Sequence, residues 1–92
     1  MKLLSKIITA DAQTIEGPCY FVGCNLADQT GDGHVTLYNE NTSTKTAAQE
    51  LCTLRVSDEF QSASMILPLP GIECTGIYAD WTAGTCVVYY YR

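Results

Sequence analysis

The chain has 92 residues, of which 47% are hydrophobic and 16% are charged, with ten acidic and five basic side chains. This length supports one hydrophobic core and excludes a division into two domains, so residues 1–92 are predicted to form a single domain. The net charge of -5 argues against nucleic acid or an anionic membrane surface as partner, because both attract a cationic face. Ordinary domains carry about 25% charged residues. The low charge therefore predicts that another chain covers part of the exterior.

The first predicted element is a strand from Leu3 to Thr9, followed by a polar connection from Ala10 to Gly17. We interpret residues 1–10 as an N-terminal arm or edge strand. Lys6 divides the apolar stretch, which is then too short for the core of a secretion signal. Elsewhere no apolar run approaches the roughly 18 residues of a membrane span.

The second predicted strand runs from Pro18 to Leu26, and its alternation places Tyr20, Val22, Cys24 and Leu26 on one face. Asp28 to Gly33 is a turn sequence, because it combines aspartates with glycines that permit positive φ. We expect this turn to close a hairpin onto a third strand, His34 to Asn39. The turn also overlaps the start of a calcium-binding EF-hand loop, but Asn39 stands where that loop needs glutamate.

The segment from Asn41 to Glu50 is a polar connector with room for at most one helical turn. It also contains a glycosylation-like Asn-Thr-Ser triplet, which we interpret as an ordinary exposed loop. The next strand alternates, with its inward residues being Cys52, Leu54 and Val56. Another strand follows, with Met65, Leu67 and Leu69 inward. Its prolines cannot donate to a ladder, so it is predicted to lie at a sheet edge or end at Leu67.

The final predicted element is a hairpin that pairs Ile72 to Trp81 with Thr85 to Arg92. Gly84 suits the left-handed position of the short loop between them. Seven strands with short connections predict an all-β fold, either a compact antiparallel β-sandwich or a small jelly-roll-like barrel. Strand order is not determined by this periodicity.

Five cysteines form no CxxC pair, and one histidine accompanies them. Their spacing fits no zinc motif, so we predict neither metal nor cofactor. Most lie within apolar runs and are predicted to be buried free thiols in a reducing compartment. One disulfide with three free thiols, or a bond between subunits, is the alternative.

No catalytic motif is recognisable. His34 has no nucleophile beside it in sequence, although a dyad with Cys19 or Ser64 through space is conceivable. The acidic residues fall in loops and at strand ends, where charges normally lie. We therefore predict a protein without enzymatic activity, with a small hydrolase dependent on His34 as a third-ranked alternative.

Three segments of the C-terminal half have the sequences LPLPGI (67–72), GIYAD (76–80) and AGTCVVYY (83–90), and GPCY (17–20) and VTLY (35–38) accompany them. Together they resemble small β-rich virion proteins of tailed bacteriophages. The resemblance implies a capsid cement or decoration protein, or a head or tail appendage, that is assembled in the bacterial cytoplasm. Such proteins gather at capsid symmetry axes and bind the major capsid protein. We therefore expect the major capsid protein or other virion proteins as partners, and a homo-oligomer on the capsid surface, for example a trimer.

Six residues are predicted to contact a partner. The first strand offers Leu3, Ile7 and Ile8 for strand pairing. The aromatic anchors are Trp81, Tyr89 and Tyr91. A second hypothesis is a carbohydrate- or host-surface-binding module on a phage spike or tail appendage, in which Trp81 and Tyr78 stack on sugar rings.

Overall fold

The computed structural model describes residues 2–11, 13–28, 32–42, 47–57 and 62–92. These residues form antiparallel strands and one 3-10 turn, Ala47–Gln49. The all-β prediction is confirmed. The seven strands within the described residues are β1 (Leu4–Ile8), β2 (Gln13–Ala27), β3 (Gly33–Tyr38), β4 (Glu50–Val56), β5 (Ser62–Ile66), β6 (Ile72–Ala83) and β7 (Thr85–Tyr91).

The long strand β2 organises the sheet. The strand order is β1-β7-β2-β6-β3-β4, and β5 also pairs with β2. β2 pairs with β6 over residues 13–21 and with β7 over residues 20–27, where its other edge carries β5. We call β1, β7, β5 and the end of β2 the first half-sheet, and β6, β3, β4 and the start of β2 the second. The half-sheets face each other, since the sulfur atoms of Cys24 and Cys52 lie 3.2 Å apart.

β2 changes half-sheet through two irregularities. Its register shifts between Glu16 and Cys19 against β6 and between Phe21 and Gly23 against β7. After the second shift, the cross-strand partners place Phe21 and Cys24 on the same inward face, with Val22 as the extra residue. The prediction that strict alternation runs from Tyr20 to Leu26 was therefore wrong.

The connection predicted from Ala10 to Gly17 was also partly wrong, because β2 begins at Gln13. Ile15 is 3% exposed and lies opposite the buried Ile77 of β6. Burial of the Ile15 side chain stabilises this segment as part of the sheet, although the residues around Ile15 in sequence are polar.

Neither predicted hairpin is present. β3 pairs with β6 and β4 instead of β2, and β2 lies between β6 and β7. Gly84 has the predicted positive φ, 97°, but it links the two half-sheets instead of closing a hairpin. The physical reason is that only Gly84 separates β6 from β7, whereas a tight hairpin needs a loop of at least two residues. Residues 29–31, which the turn and EF-hand interpretations include, lie outside the described residues.

The middle of the chain follows the sequence pattern. Cys52, Leu54 and Val56 are buried, and the polar connector contains only the 3-10 turn within its described residues. β5 ends at Ile66. The expectation that Leu69 points inward was wrong, since the strand stops before Pro68 and leaves Leu69 75% exposed.

The core lies between the half-sheets. All five cysteines are free and buried, as predicted. Among the residues described, no helix has the length and apolar character that a membrane crossing requires. The largest fully buried side chains, apart from cysteine, are Phe21, Ile8, Leu26, Leu37, Ile77, Val35 and Val88.

Candidate docking surface

The outer face of the first half-sheet is built from cross-strand rows of three or four residues. Directly paired residues point to the same side of a sheet. One row runs from β1 to β5 through Ser5, Tyr89, Gly23 and Ile66. Val88 and Cys24, which are sequence neighbours of Tyr89 and Gly23, are fully buried, so this row faces away from the core.

A parallel row contains Ile7, Val87, Asn25 and Ser64. A shorter row joins Thr85, Ala27 and Ser62. We call the three rows together the uncharged face, since no Asp, Glu, Lys, Arg or His occurs among their residues. They are Ser5, Ile7, Gly23, Asn25, Ala27, Ser62, Ser64, Ile66, Thr85, Val87 and Tyr89.

A groove runs along one end of the uncharged face. It has a volume of about 450 Å³, and its lining includes Leu3, Asn25, Ile66, Leu69 and Tyr89. Three of these side chains are strongly exposed: Leu3 is 59%, Ile66 74% and Leu69 75% accessible. A neighbouring depression of about 500 Å³ shares Leu3 and Leu69. The two hollows therefore form one apolar region that continues past the end of the sheet.

Specific hydrogen bonds hold the groove wall in place. The Leu67 backbone N–H donates to the Val22 carbonyl at 2.8 Å. The Tyr91 hydroxyl donates to the Pro70 carbonyl at 2.6 Å. These bonds fix the segment after β5 against β2 and β7, which presents Leu69 outward.

Gly23 lies in the middle of this face without a side chain. A Cβ added there would approach the Met65 carbonyl oxygen to 2.6 Å. The close approach of β5 to β2 therefore requires glycine at this position.

The outer face of the second half-sheet is polar. Its residues include Tyr38 and Tyr78, whose rings stack at 6.1 Å between centroids. The Thr53 hydroxyl donates to the Glu50 carboxylate at 3.0 Å. His34 and Arg55 are cross-strand partners. The two outer faces thus differ sharply in charge, which locates the low overall charge on one side of the molecule.

His34 does not meet either nucleophile that the sequence suggested. It lies on the outer side of β3, in a shallow cleft of about 340 Å³ that it shares with Asp32, Arg55 and other residues. Cys19 is 2% exposed in the core, and Ser64 lies on the outer face of the other half-sheet. This arrangement does not form the dyad considered from the sequence.

Two of the buried thiols are also poorly suited to nucleophilic chemistry. Burial raises the pKa of Cys74 to about 11 and that of Cys86 to about 12. Both therefore stay protonated near neutral pH, whereas the thiolate is the reactive form. Within the described part of the chain, no group of three His, Cys, Asp or Glu side chains is arranged to hold a metal ion.

Three of the six predicted contact residues lie together. Ile7 and Tyr89 are on the uncharged face, and Leu3 lines its groove. The N-terminal segment is an edge strand, because β1 pairs with β7 along its whole length. Lys6 extends from this edge and donates from Nζ to the Thr14 carbonyl at 3.2 Å.

The other three predicted residues lie elsewhere. Ile8 and Tyr91 are 1% and 5% exposed, so the folded chain does not offer them to a partner. The Trp81 indole N–H donates to the Gly84 carbonyl at 2.7 Å, and its backbone N–H donates to Asp11. The half-buried Trp81 is thus a link between β6 and the N-terminal segment.

The aromatic platform proposed for sugars is not formed by these residues. Tyr78 is 2% exposed and lies beneath Tyr38. Trp81 lies three positions after Tyr78 along β6, so the two side chains point to opposite sides of the strand. The proposed platform needs the ring faces of both residues open on one side. That requirement is not met here.

Sequence reasoning missed Gly23, Asn25, Ser64, Ile66 and Leu69 as parts of the surface. The alternation of Ser62, Ser64 and Ile66 against inward Met65 contained the signal for β5. The signal for the whole face was absent, because it depends on which strands are neighbours. No protein-family model, curated protein or solved structure matches the chain.

Proposed function

We propose that the protein is a non-enzymatic structural subunit that attaches to a larger assembly through the uncharged face. The observation that carries this proposal is the contrast between the two outer faces. Ten acidic and five basic residues occur in the chain, yet none lies in the three rows across β1, β7, β2 and β5.

The chemistry of the face supports burial against another protein. Its serines, threonine and asparagine are neutral and can exchange hydrogen bonds with a partner at little desolvation cost compared with charged groups. Its exposed Ile7 and Ile66, with Leu3 and Leu69 beside them, supply apolar area. The depletion of charge together with apolar and tyrosine side chains is typical of interface cores.

The kind of assembly follows from the resemblance to tailed-phage virion proteins. We infer a capsid cement or decoration subunit that binds the major capsid protein lattice and associates with copies of itself. The uncharged face supports this role because repeated weak contacts on a lattice raise the effective concentration of each neighbouring contact.

Native mass spectrometry and sedimentation velocity test the self-association. We expect the wild-type chain to form a homo-oligomer, and Ile66→Glu to weaken it by at least about 100-fold, since a buried unpaired carboxylate costs several kcal/mol. Gln49→Glu adds the same charge at the exposed end of the 3-10 turn and is the matched control. Equal association of both variants and the wild type would reject the uncharged face as the contact.

The virion role has its own test. Mass spectrometry of purified virus particles that encode the chain should detect it in many copies per particle, and Ile66→Glu should be depleted from them. A chain that is absent from the particles, although present in the infected cell, contradicts the decoration role while leaving the self-association result intact.

The carbohydrate-binding alternative lacks the Trp81–Tyr78 platform on which it was based. A glycan array remains a direct check of it. A specific glycan bound by the wild type and lost in Ile66→Glu would reassign the uncharged face to sugar recognition.

A further inference from the structure

Two thiols from opposite half-sheets meet in the core. The Cys24 sulfur lies 3.2 Å from the Cys52 sulfur, and 28 positions of sequence separate them. Cys24 belongs to β2 and Cys52 to β4. These strands are not neighbours in the sheet, so the pair spans the layer between the half-sheets.

We propose that Cys24 and Cys52 are a redox modification site that forms a reversible disulfide between the two half-sheets. A short covalent bond there would replace an existing sulfur–sulfur contact. The two sulfur atoms are already in contact, and a disulfide requires side chains that point toward each other.

The other cysteines are arranged differently. Cys19 and Cys74 are direct cross-strand partners of β2 and β6, but the Cys74 thiol donates to the Ile72 carbonyl at 3.4 Å. Cys86 lies in β7, opposite Leu26 and Ile8. A bond between Cys19 and Cys74 would link strands already joined by a ladder, whereas a bond between Cys24 and Cys52 joins separate halves.

The contact between the two thiols also shifts the pKa of each one. The hydrogen bond to Cys52 is the main cause that raises the pKa of Cys24, and the bond from Cys24 lowers the pKa of Cys52. Either sulfur can donate in the neutral pair, and these shifts favour the state in which Cys52 is ionised and Cys24 donates to its thiolate. The thiolate is the attacking species in disulfide exchange.

Solvent exposure also favours Cys52 as the first thiol to react. Cys52 is 8% exposed and Cys24 is 0% exposed. β4 ends the strand path, with β3 as its one ladder partner among the described strands. Local opening of this terminal strand brings Cys52 to solvent before Cys24.

The oxidant is a low-molecular-weight disulfide such as oxidised glutathione. The Cys52 thiolate attacks one sulfur of it, the glutathione sulfur–sulfur bond breaks, and one glutathione thiolate leaves. Cys24 then loses its proton and attacks the Cys52 sulfur of the mixed disulfide, which expels the second glutathione thiolate. Both cysteines are oxidised by loss of one hydrogen each, and one glutathione disulfide is reduced to two thiols.

The bond should stabilise the fold by restricting the unfolded chain. For a closed loop of this length, together with the thermal response of a domain of this size, the melting temperature should rise by about 10–20 °C. Reducing agent should return the original value. Under oxidising conditions the disulfide would therefore hold β4 covalently against β2.

The experiment refolds the full chain from urea in a glutathione redox buffer, so that burial does not prevent reaction. Free thiols are then blocked in denaturant, and chymotryptic peptides are mapped by mass spectrometry without reduction. We expect a peptide pair joining Cys24 to Cys52, a protein mass lower by two hydrogen atoms, and the higher melting temperature. Chymotrypsin separates Cys24 from Cys19 by cutting at Tyr20 and Phe21.

Variants distinguish this pair from the alternatives. Cys52→Ala should abolish the bond, and Cys19→Ala and Cys86→Ala should retain it. Thermal denaturation of each reduced variant shows whether it folds. Five blocked thiols in the refolded wild type, a predominant Cys19–Cys74 bond, or a Cys24–Cys52 bond that lowers the melting temperature would each overturn the proposal.

Discussion

The adjacent residues Ile7 and Ile8 allow a sharp test of whether β1 belongs to the folded domain. The two side chains are chemically identical and point to opposite sides of the strand. Ile7 is 61% exposed on the uncharged face, whereas Ile8 is 1% exposed opposite Cys86 of β7. Replacing each with alanine removes the same atoms from different environments.

The two substitutions should have very different effects on stability. Ile8→Ala removes fully buried methyl and methylene groups and leaves a cavity, with an expected loss of about 3 kcal/mol. Ile7→Ala should change the free energy of unfolding by less than about 0.5 kcal/mol, since its side chain is largely in solvent. A chain of this size has a total stability of about 5–15 kcal/mol, so the first change removes a large share.

Urea denaturation followed by tryptophan fluorescence measures both effects, because Trp81 is half-buried and hydrogen-bonded through Asp11 to the segment after β1. With a urea dependence of about 1.5 kcal/mol/M, Ile8→Ala should lower the midpoint by about 2 M. Equal midpoints for Ile8→Ala, Ile7→Ala and the wild type would show that β1 is a detached arm, and would refute its place as an edge strand.

Three further outcomes are expected. Gly84→Ala should destabilise the fold by about 1–2 kcal/mol in urea, because φ is 97° and the new Cβ would lie 3.0 Å from Leu26; an unchanged midpoint would contradict the left-handed link between half-sheets. Asn41→Ala should cost about 1 kcal/mol by removing the side-chain oxygen that accepts from the Gly17 backbone N–H at 2.7 Å, and full stability in this variant would show that the bond is replaced by water. Stability should fall as pH rises from 9, the ordinary pKa of a thiol, to about 12, the raised pKa of the buried Cys86, because only the unfolded chain ionises at Cys86 in this range. In thermal melts across this range, the free energy of unfolding of Cys86→Ala should fall less steeply with pH than that of the wild type, by about 1.4 kcal/mol per pH unit. Parallel slopes would contradict the raised pKa.

The strands themselves could be predicted from the sequence wherever alternation is unbroken. Cys52, Leu54 and Val56 illustrate this, because they occupy every second position and the pairing of β4 with β3 is regular from Cys52 to Val56. In β2 the pattern failed at Val22, where one extra residue moves the following side chains to the other face. A bulge is a property of two paired strands, so a single strand's sequence does not reveal it.

The candidate surface was predictable only in part. Ile7 and Tyr89 were chosen from the sequence as partner contacts, and the structure places them in neighbouring rows. Ile8 and Tyr91 were chosen on the same grounds, yet both are buried. The face that an apolar residue near a terminus occupies can be predicted only when its register with a neighbouring strand is known.

The position of β2 in the sheet also governs the order in which the fold can assemble. A growing chain produces β2 early, while its partners β5, β6 and β7 all come from the second half of the sequence. Ile15 must wait for Ile77, and Leu26 for Cys86. Such distant pairings make folding slow. The backbone edges and apolar side chains of β2 consequently lack their partners through most of synthesis. During that interval the chain is most prone to aggregation or to binding by a chaperone.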